Sequence, residues 1–156
     1  MAFVSTLSLS VAIITALPHS RQQRQRHFAE AAMDGNLRRM RLLRMAGADV
    51  NLTTDCCPPL AIAAREGRID VVRYLLAQDA DVNAREKSGD TALTEAVLNN
   101  HLAIVKELLQ HGADVNAIGF EGTALDIALA RGLAELAELL RHHAGKRACE
   151  LRQLSC

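Results

Sequence analysis

One pentapeptide recurs through this chain at a nearly fixed spacing. Gly-Ala-Asp-Val-Asn stands at 47–51 and again at 112–116, and Asp-Ala-Asp-Val-Asn stands at 79–83. The closing asparagines, Asn51, Asn83 and Asn116, are 32 and then 33 residues apart. A second ladder runs in phase with the first. Phe28, Leu60, Leu93 and Leu125 open the stretches FAEAA, LAIAA, LTEAV and LDIAL at intervals of 32, 33 and 32 residues. A unit of this length cannot bury an apolar face alone, so its copies must stack on one another rather than close around a central core.

Within a unit the pattern predicts two short helices and a turn. In the second copy Leu60, Ala63 and Ala64 share one face of a first helix, and Ile69, Val72, Leu75 and Leu76 share one face of a second. Gly35, Gly67 and Gly132 fall between the paired helices, where the left-handed backbone that ends a helix favours glycine, and Asn100 fills that slot in the third copy. Gly47 and Gly112 repeat the device after the second helix, with Asp79 in their place in the second copy. Composition agrees: 26 alanines and 23 leucines against 3% aromatics suit closely packed helices better than a β-sandwich.

These units resemble ankyrin repeats. They are similar to that family in the threonine- or proline-led helix start (PPLA at 58–61, TALT at 91–94, TALD at 123–126), the paired alanines, the Ile-Val…Leu-Leu second helix and the Gly-Ala-Asp-Val-Asn turn. The resemblance spans about 24–144, in units of about 24–52, 53–84, 85–117 and 118–144, leaving 1–23 and 145–156 as flanking tails. It implies an all-α solenoid of stacked helix-turn-helix units with β-hairpin-like fingers. The helix start lacks the family's histidine in every copy. The step from turn asparagine to opening leucine is nine residues in two fingers and ten in the third, which should change the finger tips and spare the helices.

The resemblance also implies protein binding through a concave face made of finger tips and first helices. Carried onto matching positions, the family's variable contacts are Met33 and Asp34 in unit one, and Thr54, Asp55, Cys57, Arg65 and Glu66 in unit two. In unit three they are Lys87, Ser88, Asp90, Leu98 and Asn99; in unit four, Phe120, Glu121, Ala130 and Arg131. Phe120 is the sole large apolar candidate on a finger and reads as an anchor, with packing against the adjacent finger as the alternative. A small adaptor or inhibitor, monomeric and without a small-molecule substrate, is the expected function. The alternative is an exported or membrane-tethered protein that binds through the same repeats.

Charge separates along the chain. Residues 1–47 sum to +5, residues 48–145 to −7 and residues 146–156 to +2, for a total of zero. A neutral chain argues against a protein that coats nucleic acid through a broad positive field. The arginines at 21, 24, 26, 38, 39, 41 and 44 read as a polar covering for the outer side of the first unit, or as a site for an acidic peptide, nucleic acid or anionic lipid. Residues 1–20 carry no Asp, Glu, Lys or Arg, and their apolar stretch at 7–17 is short for a membrane span but about right for the middle of a signal peptide. The alternatives are an apolar tail packed on the first unit or a later native start. RQQRQR follows directly, where a translocated segment avoids positive charge. A membrane role is expected only through this segment, and a cytoplasmic location is favoured over export.

No enzyme is expected. Asp49, Asp81 and Asp114 recur once per unit because their short side chains can bond nearby backbone N–H groups of the turn. His101 reads as a turn residue and His111 as a helix-end partner of the macrodipole. His142, His143, Cys149 and Cys156 match no zinc spacing, so neither metal nor cofactor is expected. Cys56 and Cys57 read as reduced, Cys57 as an accessible thiol, and a Cys149–Cys156 bridge is expected only upon export. Leu151 and Leu154, three apart, could cover the open end of unit four, whose second helix would otherwise expose Leu136 or Leu139.

Overall fold

The computed structural model describes residues 20–53 and 57–153. Expectations for 1–19, for Thr54, Asp55 and Cys56, and for 154–156, including Leu154 and the Cys156 side of the bridge, lie outside the described residues. Four helix pairs follow in order: α1 (Arg21–Asp34) with α2 (Leu37–Met45), α3 (Pro59–Arg65) with α4 (Ile69–Leu76), α5 (Ala92–Leu98) with α6 (Leu102–Gln110), and α7 (Ala124–Ala130) with α8 (Ala134–His142). A short α9 (Ala148–Leu151) comes last. The first helices α1, α3, α5 and α7 pack in sequence to form one row, and α2, α4 and α6 pack likewise in a second. This is the all-helical repeat solenoid that the ladders imply.

Caps explain where the first helices begin. Thr91 and Thr123 open α5 and α7 with reciprocal capping boxes, the partners being Thr94 and Asp126. Pro59 starts α3 at a position where the missing N–H costs nothing. The Ser20 side chain accepts the N–H of Gln23, so α1 reaches back to Arg21, and residues 21–23 belong to the helix rather than to a tail.

The core is a set of ladders. Phe28, Leu60, Leu93 and Leu125 are all buried, as are Leu43, Leu75, Leu108 and Leu140 on the second helices. Each such side chain contributes about 1.5–3 kcal/mol by leaving water, and in most cases the neighbouring unit supplies part of the cover. Leu136 is buried and Leu139 partly so; the open side of unit four shows instead at Leu129, which is 38% exposed.

Polar joints tie each unit to the next. Asn51 accepts the Asp81 N–H and donates to the Asp79 carbonyl; Asn83 does the same with Asp114 and Gly112, and Asn116 with Lys146 and Ala144. The aspartates at 49, 81 and 114 each accept the N–H of the asparagine two residues on, as their turn position predicts. Asp79 and Ala144 stand at positive φ (58° and 61°) in the slot that Gly47 and Gly112 occupy. The turn of unit one is bridged by Gln25 of α1: its amide accepts the Asp49 N–H and donates to the Asp49 and Leu52 carbonyls.

A second joint lies at the ends of the first helices. At α1, α3 and α5 the carbonyl near the end of the first helix is met from the following unit: Met33 by Arg68, Arg65 by His101 and Leu98 by Arg131. His101 lies so close over the left-handed turn before α4 that a Cβ on Gly67 would come within 2.8 Å of its ring.

Candidate protein-binding surface

The finger lengths read from the sequence have a direct structural result. The longer finger turns through Glu86–Gly89, with the Gly89 N–H on the Glu86 carbonyl and the Glu86 N–H on the Asp90 carbonyl. The shorter finger of unit four closes on Gly119 and Gly122, which pair across a loop of only two residues. Those two are Phe120 and Glu121. Phe120 is 84% exposed, so it does not pack against the adjacent finger.

This tip is held from below. The Asp90 carboxylate accepts the Phe120 N–H at 3.0 Å, and a Cβ on Gly119 would strike the same carboxylate. The Arg85 guanidinium donates to the carbonyls of Gly89 and Ile118, tying the two fingers together. Glu121 lies 3.7 Å from Arg131, so the tip is also linked to the end of its own first helix.

At the other end of the stack a groove of about 340 Å³ opens between α1 and α3, lined by Arg26, Ala29, Glu30, Met33, Cys57, Ile62, Arg65 and Glu66. Its wall includes an ion-pair cluster. Arg65 donates from Nε and a terminal nitrogen to both oxygens of Glu95 at 2.9 and 2.8 Å, and to Glu86 at 2.7 Å. Both carboxylates are more than nine-tenths buried, whereas the arginine is about one-third exposed. The hydrogen bond to Glu95, with the charges of both carboxylates, holds the guanidinium proton more firmly than usual. The half-buried Cys57 thiol is pushed up, first by burial and then by the Glu86 carboxylate.

Of the contact residues expected from the sequence, Met33, Cys57, Arg65 and Glu66 come together in the groove. Asp34, Lys87, Ser88, Asn99, Glu121, Ala130 and Arg131 are exposed. Leu98 is half-buried against the core. Asp90 is corrected: it is 7% exposed and turned inward, because its carboxylate is the fastening of the neighbouring finger. Ala29 and Glu30 line the groove without having been expected there, and Arg26 was expected only as part of the basic run. Their spacing with Met33, at i, i+3, i+4 and i+7 along α1, was the signal that could have found them. Glu86 and Glu95 were also passed over, since a buried carboxylate is not visible until its arginine is placed.

Among the described residues no group of three histidine, cysteine or acidic side chains is arranged to hold a metal ion. Nor is any helix there long and apolar enough to cross a membrane.

Residues 28–119 match a protein family described as ankyrin repeats (3 copies). Alpha-latroinsectotoxin-Lt1a of Latrodectus tredecimguttatus is 47% identical over 76 residues, which are 48% of this chain and 5% of that protein. Palmitoyltransferase akr1 of Schizosaccharomyces pombe is 51% identical over 61 residues, 38% of this chain and 10% of the enzyme. B-cell lymphoma 3 protein homolog of Mus musculus is 43% identical over 83 residues, 52% of this chain and 18% of the other. The chain therefore matches less than a fifth of the length of each of these relatives. Unit four lies largely beyond the family match, yet repeats its helix pair, finger and asparagine joint. With more than half of the sequence matched and both ladders carried by the fold, the chain belongs to the ankyrin repeat family.

Proposed function

We propose that this chain is a small adaptor or inhibitor that acts by occupying the surface of a partner protein, with no reaction of its own. Ankyrin repeats are protein-binding modules, and the finer reading rests on one observation: a fully presented aromatic, Phe120, on a two-residue tip that Asp90 fastens in place. Binding hot spots are enriched in aromatics, and an anchor whose backbone is already fixed loses little freedom on binding. The groove beside Met33 gives a second contact region of mixed apolar and charged character. The chain acts as a monomer in this reading, with the finger tips and first helices turned to one partner. The relatives' catalytic or other activities are not carried over, since the match covers only a small share of each.

The test is capture of partners from the native organism by the full chain, followed by affinity measurement with Phe120→Ala and Met33→Ala. Loss of about tenfold or more in affinity for Phe120→Ala is expected. Unchanged affinity for both variants would remove the anchor and the surface together.

A further inference from the structure

The basic residues of unit one are not distributed like a neutral solvent covering. Residues 1–47 hold seven arginines against two acidic side chains, whereas residues 48–145 hold eight basic against fifteen acidic. Arg38, Arg41, Arg44 and Met45 lie on one side of α2 at helical spacing, and all four are exposed, Met45 at 86%. The opposite side of the same helix buries Met40 and Leu43. In α8, at the other end of the stack, the positions matching Arg38 and Arg41 are Glu135 and Glu138.

A covering that only needs to be polar gains nothing from a single sign. Like charges three apart on a helix repel one another, so a row of arginines lowers helix stability where mixed charges would not. Arg41 gains a partial return from the Tyr74 ring, whose centroid is 5.8 Å away, and Arg44 from the Ala48 carbonyl at 3.2 Å. Neither contact needs the other two members of the face. An 86% exposed methionine among these arginines adds apolar area that water does not favour.

Gln25, near the start of α1, bonds to Asp49 just beyond the end of α2, so the first part of α1 lies at the same end of the pair as Arg44 and Met45. In sequence, residues 1–17 have no Asp, Glu, Lys or Arg and include the apolar run at 7–17. The chain through unit one thus carries positive charge and apolar residues together, the exposed Met45 among them. A lipid surface takes both at once, whereas an acidic peptide or nucleic acid draws only on the charge.

We infer that the outward face of α2 docks on an anionic phospholipid membrane, with Arg38, Arg41 and Arg44 over the headgroups and Met45 at their boundary with the acyl chains. This face belongs to the second row of helices, away from the fingers and the α1–α3 groove. Membrane docking therefore leaves the protein-binding surface open and stands independently of the adaptor reading.

The test uses the full chain and sedimentation with vesicles of phosphatidylcholine, alone or mixed with phosphatidylserine. Binding to the mixed vesicles that weakens as salt rises is expected. Each arginine removed should weaken it roughly fivefold, and the triple variant Arg38→Glu/Arg41→Glu/Arg44→Glu by about a hundredfold or more. The corresponding triple lysine variant should bind within about threefold of the parent, since lipid attraction reads charge and not the guanidinium fork. Circular dichroism checks the fold; if the triple glutamate variant unfolds, the single Arg38→Gln still reports the fivefold step. Equal binding to phosphatidylcholine alone, or vesicle binding unaffected by the glutamate variants, would overturn the proposal and assign the attraction to 1–17. Binding to heparin or polyglutamate without vesicle binding would overturn it in favour of a macromolecular polyanion, and absence of binding to any of these would also overturn it.

Discussion

Asn83 holds Asp114 across the boundary between units, its side-chain oxygen accepting the Asp114 backbone N–H at 2.7 Å while its amide donates to Gly112. The asparagine itself is fixed by Asp81, so each joint has its own built-in support. Asn83→Ala removes two bonds between units two and three and is expected to lower stability by about 1–2 kcal/mol. Urea unfolding followed by circular dichroism measures this, and a change within about 0.5 kcal/mol would mean that the ladder is ornamental.

Positive φ at a residue with a Cβ gives a prediction of opposite sign. Ala144 and Asp79 occupy the slot that glycine fills elsewhere. Ala144→Gly should raise stability by about 1 kcal/mol, and Asp79→Gly by less, because aspartate tolerates the left-handed region better than alanine. The greater flexibility of glycine in the unfolded chain offsets part of each gain. Thermal melting of the two variants gives the order directly.

Asp126 links α7 to the segment that follows the last unit. It accepts N–H bonds from Thr123 and Ala148, a hydroxyl bond from Thr123 and a guanidinium bond from Arg147. Burial opposes its ionisation, but the backbone N–H of Ala148 and then that of Thr123, with the side chains of Arg147 and Thr123, outweigh it and hold the carboxyl below its usual value. A depressed folded pKa means stability that is fully present above the ordinary aspartate value of about 3.9 and is lost as pH falls through the lower folded value. Asp126→Asn should therefore be less stable than the parent at neutral pH, and the gap should narrow below about pH 4. A pH series of denaturation curves checks it; a gap independent of pH would assign the effect to shape alone.

The Cys57 thiol reports the charge of its surroundings. Burial and then the Glu86 carboxylate push it up, while Arg65 pulls it down. Maleimide labelling of the folded chain at mildly alkaline pH should be slower than that of a free thiol, faster in Glu86→Gln, and slower in a variant lacking the Arg65 charge if its fold persists. Labelling rates against pH, read by peptide mass spectrometry at Cys57, provide the comparison. Rates indifferent to Glu86 would break the link.

Phe120 and Gly119 should separate stability from recognition. Phe120→Ala is expected to change stability by less than about 0.5 kcal/mol, as exposed positions do. Gly119→Ala drives a methyl into the Asp90 carboxylate and should cost more, about 1–3 kcal/mol, by unfastening the tip. Chemical denaturation of both variants tests the contrast.

The helices were legible because their signal repeats: the ladders through Phe28 and Asn51 fix the register of all four units, and the glycine slots mark the turns. The short fingers were equally plain, being a matter of counting. The inward turn of Asp90 was not, since a finger aspartate has the same letter whether it faces water or the N–H of Phe120. The joint between Asn116 and Ala144 with Lys146 escaped for a similar reason. Neither residue resembles the glycine and aspartate it stands in for, so the segment reads as a tail although its backbone completes the turn. Gln25 was hidden because it reaches the Asp49 turn from a helix and not from a finger. Side-chain substitutes for a motif leave no motif behind.

Because each asparagine joint runs from a side chain in one unit to backbone further along the chain, unit three (85–117) carries both a plug, Asn116, and a socket, the turn at Gly112 and Asp114. Its plug fits the backbone of Ala144 and Lys146, and its socket receives Asn83. A tandem duplication of 85–117 would thus arrive with compatible ends on both sides, and a loss of the same segment would leave ends that still match. Growth or shortening by whole units is open to such a chain without any new mutual adjustment, while insertion of half a unit would strand one fitting at each cut.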